Sequence, residues 1–167
     1  VETASTANVE VVPKAERLAA RLQLHNLQLA DSNRVAQLFQ DPRRTHDGVI
    51  FIDARDDTHY AAGHIPGAYH FDRFYPDRYL SNVVQVCLTA QEIVFYCNGG
   101  DCDDSEHAAI MLRDSMGLPK ERVFIYGGGI AEWTANGQPI ELGARNSGVF
   151  TNLTRSATPA KAEGPSR

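Results

Sequence analysis

The segment Ile93 to Ala109, IVFYCNGGDCDDSEHAA, gathers most of the chain's candidate chemistry. An apolar run ends at Cys97. Asn98, Gly99, Gly100, Asp101, Cys102, Asp103, Asp104 and Ser105 follow, and then a helical pattern begins. A cysteine attacks only as its thiolate, so its electrostatic setting decides what it can do. A loop between a strand and a helix N-terminus offers backbone N–H groups and the positive end of the helix dipole, which favour a sulfur anion. Gly99 and Gly100 let the backbone curl so that several N–H groups point inward. Asp101, Asp103 and Asp104 act the other way, because each carboxylate disfavours a nearby thiolate. Free cysteine is also among the most buried residue types. On these grounds alone Cys97 is either an activated nucleophile or a structural thiol.

Three roles compete for Cys102. It can resolve an oxidised or sulfur-loaded Cys97 by forming a disulfide. It can share a metal with Cys97 and a histidine such as His107. It can be a bystander. Metal sites usually join a Cys-x2–4-Cys to a second pair of ligands, and here that second pair is missing, so no metal is expected. Cys87, in VVQVCL, reads as core. An odd count of three cysteines fits a reducing compartment or a reactive thiol rather than a disulfide framework.

The elements around this segment alternate. Residues 13–25 have helical spacing, with Ala15, Leu18, Ala19 and Leu22 on one face. A short helix is expected after Asp31 or Ser32, stopped near Pro42. GVIFIDAR, EIVFYC and RVFIY are continuous apolar runs of strand length, the pattern of strands buried on both faces of a parallel sheet. Between them come a helix ended by Gly63, a brief strand in HIPGAYHF, a helix after Pro76, and a helix over DDSEHAAIMLRDSMG. For that last helix Asp103 is the expected N-cap, with Glu106 completing a capping box, and Ala108, Met111, Leu112 and Ser115 mark the apolar face. Strands separated by helices predict an α/β fold: a central, mostly parallel sheet with helices on both faces. In such sheets ligands sit beyond the carboxyl ends of the strands, where Cys97 falls.

The chain has 167 residues, enough for one domain with tails, and a formal net charge of −5. Residues 27–143 hold 9 Lys and Arg against 17 Asp and Glu, a net of −8. That body argues against a nucleic-acid groove, which needs clustered Lys and Arg. No run approaches the roughly 18 apolar residues of a membrane span. The reading divides the chain into an N-terminal extension (1–30, with the helix at 13–25), a core domain (31–142) and a flexible tail (143–167). The thiols favour a cytoplasmic location. Val1 in place of Met leaves room for an upstream segment, and membrane association or a periplasmic location is expected only with one.

Four segments together resemble the rhodanese-like domain, the sulfurtransferase family. They are VIFIDARDDTHYAAGHIPGAYHF, IVFYC, DSEHAAIML and VFIYGGGIAEWTANGQPI, spanning about residues 31–142. The resemblance implies that Cys97 accepts sulfane sulfur as a persulfide and passes it to a thiol or cyanide. The N–H groups from Asn98 to about Asp103 would cradle that persulfide. Asp53 and Arg55 end the first core strand, with Arg55 paired to a carboxylate. His64 and Pro66 shape a turn, and Trp133 is core. No cofactor is implied. The expected partners are a small sulfur donor and a thiol acceptor, which includes protein thiols.

The sequence departs from that family in the loop. Ser105 lies two positions later than usual, and Asp104 stands where an Arg is common, which disfavours thiosulfate. The longer loops of phosphatase and arsenate-reductase relatives place an Arg six residues after the cysteine, for bidentate binding of anionic oxygens. Here that position is Asp103, which argues against phosphoryl or arsenate chemistry. The acidic loop is expected to favour a neutral or cationic donor, or a protein with a basic face. The function expected is persulfide transfer through Cys97. A thiol switch through a Cys97–Cys102 disulfide and a non-catalytic interaction module are the alternatives.

Overall fold

The computed structural model describes residues 12–151. In chain order the elements are α1 (Lys14–Leu24), β1 (Gln28–Leu29), α2 (Ser32–Phe39), β2 (Val49–Asp53), α3 (Asp57–Ala62), β3 (Tyr69–His70), α4 (Pro76–Thr89), β4 (Glu92–Tyr96), α5 (Asp104–Met116), β5 (Val123–Tyr126), α6 (Gly129–Ala135), β6 (Ile140–Glu141) and β7 (Phe150–Thr151). Short 3-10 turns precede β2 and β5.

Strands β1 to β5 form one parallel sheet in the order β1-β5-β4-β2-β3. The apolar runs explain its centre. Every residue of β2 is buried, and so are Ile93 to Tyr96 of β4. Alternate residues feed two separate cores, as the period of two demands. Ile50, Ile52, Ile93 and Phe95 pack with Leu22 of α1, Val83 and Cys87 of α4, and Ala108, Ala109 and Leu112 of α5. Val49, Phe51, Val94 and Tyr96 pack on the other face with Val35 and Leu38 of α2 and Trp133 of α6. Cys97 continues the parity of Ile93 and Phe95 and joins the first core.

Three local readings change. Strand β1 pairs with Phe124 and Ile125 of β5, so the sheet begins inside the stretch assigned to the N-terminal extension. Strand β7 pairs antiparallel with β6, so the segment from 143 to 151 is not a tail; residues 152–167 lie outside the described residues. The inward face of α5 is Ser105, Glu106, Ala108, Ala109 and Leu112, while Met111 is exposed. Ala108 and Leu112 face inward as expected, whereas Met111 and Ser115 are exposed and Ser105 and Ala109 complete the buried face.

The chain leaves β2 toward β3 on one side and then crosses to β4 on the other. The carboxyl ends of β2 and β4 therefore flank the point where the strand order reverses, where α/β sheets bind ligands. Asp53, Tyr96 and Tyr126 lie level across three strands at that edge. Cys97 is the next residue of β4's chain.

Candidate active site

Cys97 directly follows β4 and is 1% exposed. Its carbonyl accepts a hydrogen bond from Ile130 N (2.9 Å), and Asn98 O accepts one from Ala131 N (3.2 Å). The start of the cysteine loop is thus docked on the first turn of α6. The docking needs glycines on both sides. A Cβ on Gly99 would run into the Gly128 carbonyl, and one on Gly129 would strike the backbone of Cys97 and Asn98. Gly99 (φ +95°) and Gly100 (φ +66°) take the left-handed conformations that glycine tolerates. Gly128 and Gly129 were not among the residues expected to shape the site. The signal was present: a glycine run directly after the strand next to β4.

The loop then turns back, with Cys102 N donating to Gly99 O (3.3 Å). Cys97 and Cys102 are joined as a disulfide, their Cα atoms 6.5 Å apart. That separation lies within the span a disulfide bridges. Cys97 Sγ is 3.4 Å from the Cys102 carbonyl oxygen and 3.5 Å from Ser105 Oγ. Cys102 Sγ is 3.8 Å from Asp104 Oδ2. Cys102 is partly exposed, whereas Cys87 is free and fully buried in α4. Cys102 is therefore bonded to Cys97 and not to His107, and among the described residues no three His, Cys, Asp or Glu side chains gather as metal ligands would.

The acidic residues of the loop do not stand as free charges. Asp101 pairs with Lys14 (2.8 Å), which holds its carboxyl below the usual range. Asp104 accepts from Arg73 Nε (2.8 Å), whose guanidinium also stacks on Phe74. Asp103 makes no side-chain cap for α5; its Oδ2 faces His107 Nε2 at 3.2 Å. Glu106 does not complete a capping box either. It is 5% exposed and takes both Nε (2.9 Å) and Nη2 (2.6 Å) of Arg21. The competition is physical: an arginine fork satisfies a buried carboxylate better than a backbone N–H at a helix start that water can reach. Asp101 and Asp104 each meet a cation from elsewhere in the fold, which offsets part of the expected repulsion of anions, while Asp103 has only the neighbouring His107. Lys14, Arg17 and Arg21 of α1, with Leu18, Gly100 and Gly127, line a cavity of about 610 Å³ beside the loop.

Asp53 and Arg55 pair in the buried edge above β2. Arg55 Nη2 is 2.6 Å from Asp53 Oδ2 and 2.6 Å from Gly63 O, and the Arg55 backbone N–H also binds Asp53. Burial lowers the basicity of Arg55, but its bonds to Asp53 more than offset that. His64 is fully buried. Its Nδ1 faces Tyr60 O (2.9 Å), its Nε2 faces Glu141 Oε1 (2.8 Å), and its ring stacks on Tyr60. These residues hold the HIPG turn to β6, and neither Arg55 nor His64 bonds to the cysteine loop. Arg55, Asp53 and His64 thus act on the scaffold around the loop.

Residues 33–136 match the rhodanese-like domain. The chain is 32% identical over 102 residues to the HTH-type transcriptional regulator Rv0324 of Mycobacterium tuberculosis, a match covering 61% of this chain and 42% of that protein. It thus spans less than half of that relative. Among solved structures, a thiosulfate sulfurtransferase from Pseudomonas aeruginosa superposes with a TM-score of 0.54 at 26% identity, covering 70% of this chain and 20% of that one. The BH2092 protein from Bacillus halodurans gives 0.55 at 23% identity, over 78% of this chain and 87% of that one, and so shares the fold. With a family match over 33–136, more than half of its length, and a cysteine loop at the carboxyl end of a central parallel strand, this chain belongs to the rhodanese-like domain family.

Proposed function

We propose that this chain has a sulfurtransferase-like role: Cys97 takes up sulfane sulfur as a persulfide and hands it to a thiol. The observation that carries the reading is the position of Cys97. It directly follows the central strand β4 at the strand-order reversal and opens a two-glycine loop into α5. In the reduced loop the N–H groups from Asn98 to Asp103 would cradle the persulfide, and Ser105 Oγ, 3.5 Å from Cys97 Sγ, would donate to it. The cavity beside the loop is lined by Lys14, Arg17, Arg21 and Asp101; Lys14 and Arg21 are paired with Asp101 and Glu106, which leaves Arg17 to meet a carboxylate on a small thiol or persulfide. A protein thiol presented at that mouth fits the same charge pattern, and nucleic acid is not a proposed partner.

The test loads reduced Cys102→Ser, in which no loop disulfide can form, with thiosulfate, inorganic polysulfide or glutathione persulfide. Mass spectrometry should find an adduct of about 32 Da, one sulfur atom, on the Cys97 peptide. The adduct should be absent from Cys97→Ser/Cys102→Ser. If no donor loads Cys97, the reading fails.

One observation favours a second reading, a thiol switch. The two loop cysteines are bonded, which would close Cys97 to any sulfur donor. The relative named an HTH-type transcriptional regulator fits a sensing role for such a domain. A reversible Cys97–Cys102 bond formed by mild oxidant, with no sulfur loading by any donor, would support this reading over the first.

A further inference from the structure

Resting on the persulfide reading, we propose that Cys102 is a resolving thiol that makes the site a sulfane-sulfur reductase: it expels the bound sulfur as hydrosulfide and leaves the Cys97–Cys102 disulfide. In the loading step the Cys97 thiolate attacks the sulfane sulfur of a persulfide or polysulfide donor, and the donor leaves as its shortened thiolate. In the resolving step the Cys102 thiol loses its proton and attacks Cys97 Sγ. The Sγ–Sγ bond forms, the bond from Cys97 Sγ to the outer sulfur breaks, and that sulfur leaves with the electron pair and takes the proton as HS⁻. The outer sulfur is reduced, the two cysteine sulfurs are oxidised, and no other oxidant is needed. A dithiol reductant then becomes a disulfide while both cysteines regain their protons.

Three features of the loop support this. The bond is closed within one loop, between residues 5 apart, so the attack needs no domain movement. Cys102 N makes one backbone hydrogen bond, to Gly99 O within the loop, and Gly100 has open space where a Cβ would stand, so the disulfide is the one covalent tie between Cys102 and Cys97 that reduction must release to admit a donor. No other cysteine competes, since Cys87 is buried in α4. The two sulfurs also differ in a way that sets the direction of reduction. Cys97 is 1% exposed and Cys102 partly exposed, so an incoming thiolate meets Cys102 first. Cys97 is the better leaving group, because Ser105 Oγ faces its sulfur while a carboxylate oxygen of Asp104 lies 3.8 Å from that of Cys102.

The experiment compares the full wild-type chain with Cys102→Ser under argon. Each is reduced, loaded briefly with one equivalent of inorganic polysulfide, gel-filtered cold and warmed. Cys102→Ser should keep its adduct of about 32 Da, whereas the wild type should lose it, release close to one hydrosulfide per chain and end about 2 Da lighter than the reduced protein. Brief glutathione treatment of the oxidised wild type, quenched in acid, should leave the mixed disulfide on Cys102. A wild-type adduct as long-lived as that of Cys102→Ser, or a disulfide without hydrosulfide release, overturns the resolving step. A mixed disulfide on Cys97 overturns the assigned direction. Failure of Cys102→Ser to load at all is a different result: it removes the persulfide reading and this inference with it.

Discussion

Arg21 of α1 grips Glu106 of α5 with two parallel hydrogen bonds, Nε to Oε2 at 2.9 Å and Nη2 to Oε1 at 2.6 Å. Glu106 follows the cysteine loop directly and is almost fully buried. A helix that precedes the family match at 33–136 therefore clamps the helix on which the loop rests. Lys14, two turns earlier on α1, holds Asp101 of the loop itself.

Removing Arg21 strands a buried carboxylate. Arg21→Ala should destabilise the protein by about 1–2 kcal/mol, less than a fully buried pair because the arginine is itself half exposed. Arg21→Ala/Glu106→Gln should recover part of that loss in urea unfolding, since the unpaired charge is gone. Additive losses in the two single variants and the double variant would show that the pair carries no coupling. Lys14→Ala, by contrast, removes an exposed pair and should change stability by less than about 0.5 kcal/mol.

The two loop glycines differ in a way that substitution can separate. Both have positive φ, so alanine at either strains the backbone by about 1 kcal/mol. Only Gly99 abuts the Gly128 carbonyl, against which a Cβ has no room; Gly100 faces open space. Gly99→Ala should cost at least about 2 kcal/mol and slow alkylation or sulfur loading of Cys97, as the loop lifts off α6. Gly100→Ala should cost about half as much and leave loading nearly intact. Equal effects at the two positions would argue against docking of the loop through Gly99.

Much of the fold was legible because it rests on local patterns. Four consecutive apolar residues, Val49 to Ile52, mark β2, and the apolar run into Cys97 marks β4. Gly117 in the left-handed conformation ends α5 where the glycine predicts. Strands β1, β6 and β7 have two residues each, too few for any period to show. At the site, the cysteine pair and the glycines were readable, but the fate of the loop's acids was not. Arg21 and Glu106 are 85 residues apart, and Arg73 and Asp104 are 31 apart. A capping pattern in sequence cannot reveal that a distant arginine outcompetes it.

The turn before β3 offers an acid-side prediction. Glu141 is buried, which by itself would raise its pKa, but bonds from Gly67 N, His64 and Asn146 N together hold it below the ordinary carboxylate value. Because its folded value is depressed, its contribution is fully present above the unfolded value of about 4.5 and is lost as pH falls through the folded one. Glu141→Gln keeps the shape but loses the charge. It should cost about 1–3 kcal/mol at pH 7, and the gap to wild type in urea unfolding should narrow below pH 4. A gap that stays constant down to pH 3 would mean that the ionised carboxylate contributes nothing.

Cys87 supplies the alkaline counterpart. Burial pushes its thiol up to about 12, with Arg122 pulling weakly the other way, against an unfolded value near 9. Between these values the unfolded chain has given up a proton that the folded chain keeps. Unfolding then releases a proton, so the thiol's contribution is fully present below pH 9 and declines as pH rises toward 12. Cys87→Ala lacks this term. Its small cavity should cost about 1 kcal/mol at pH 7, and the wild type's lead should shrink by about 1 kcal/mol between pH 9 and 10. Urea midpoints for both proteins, measured at pH 7, 9 and 10 with the loop cysteines kept in one redox state, decide it. A lead unchanged across that range would mean that the Cys87 thiol ionises in the folded protein as readily as in the unfolded chain.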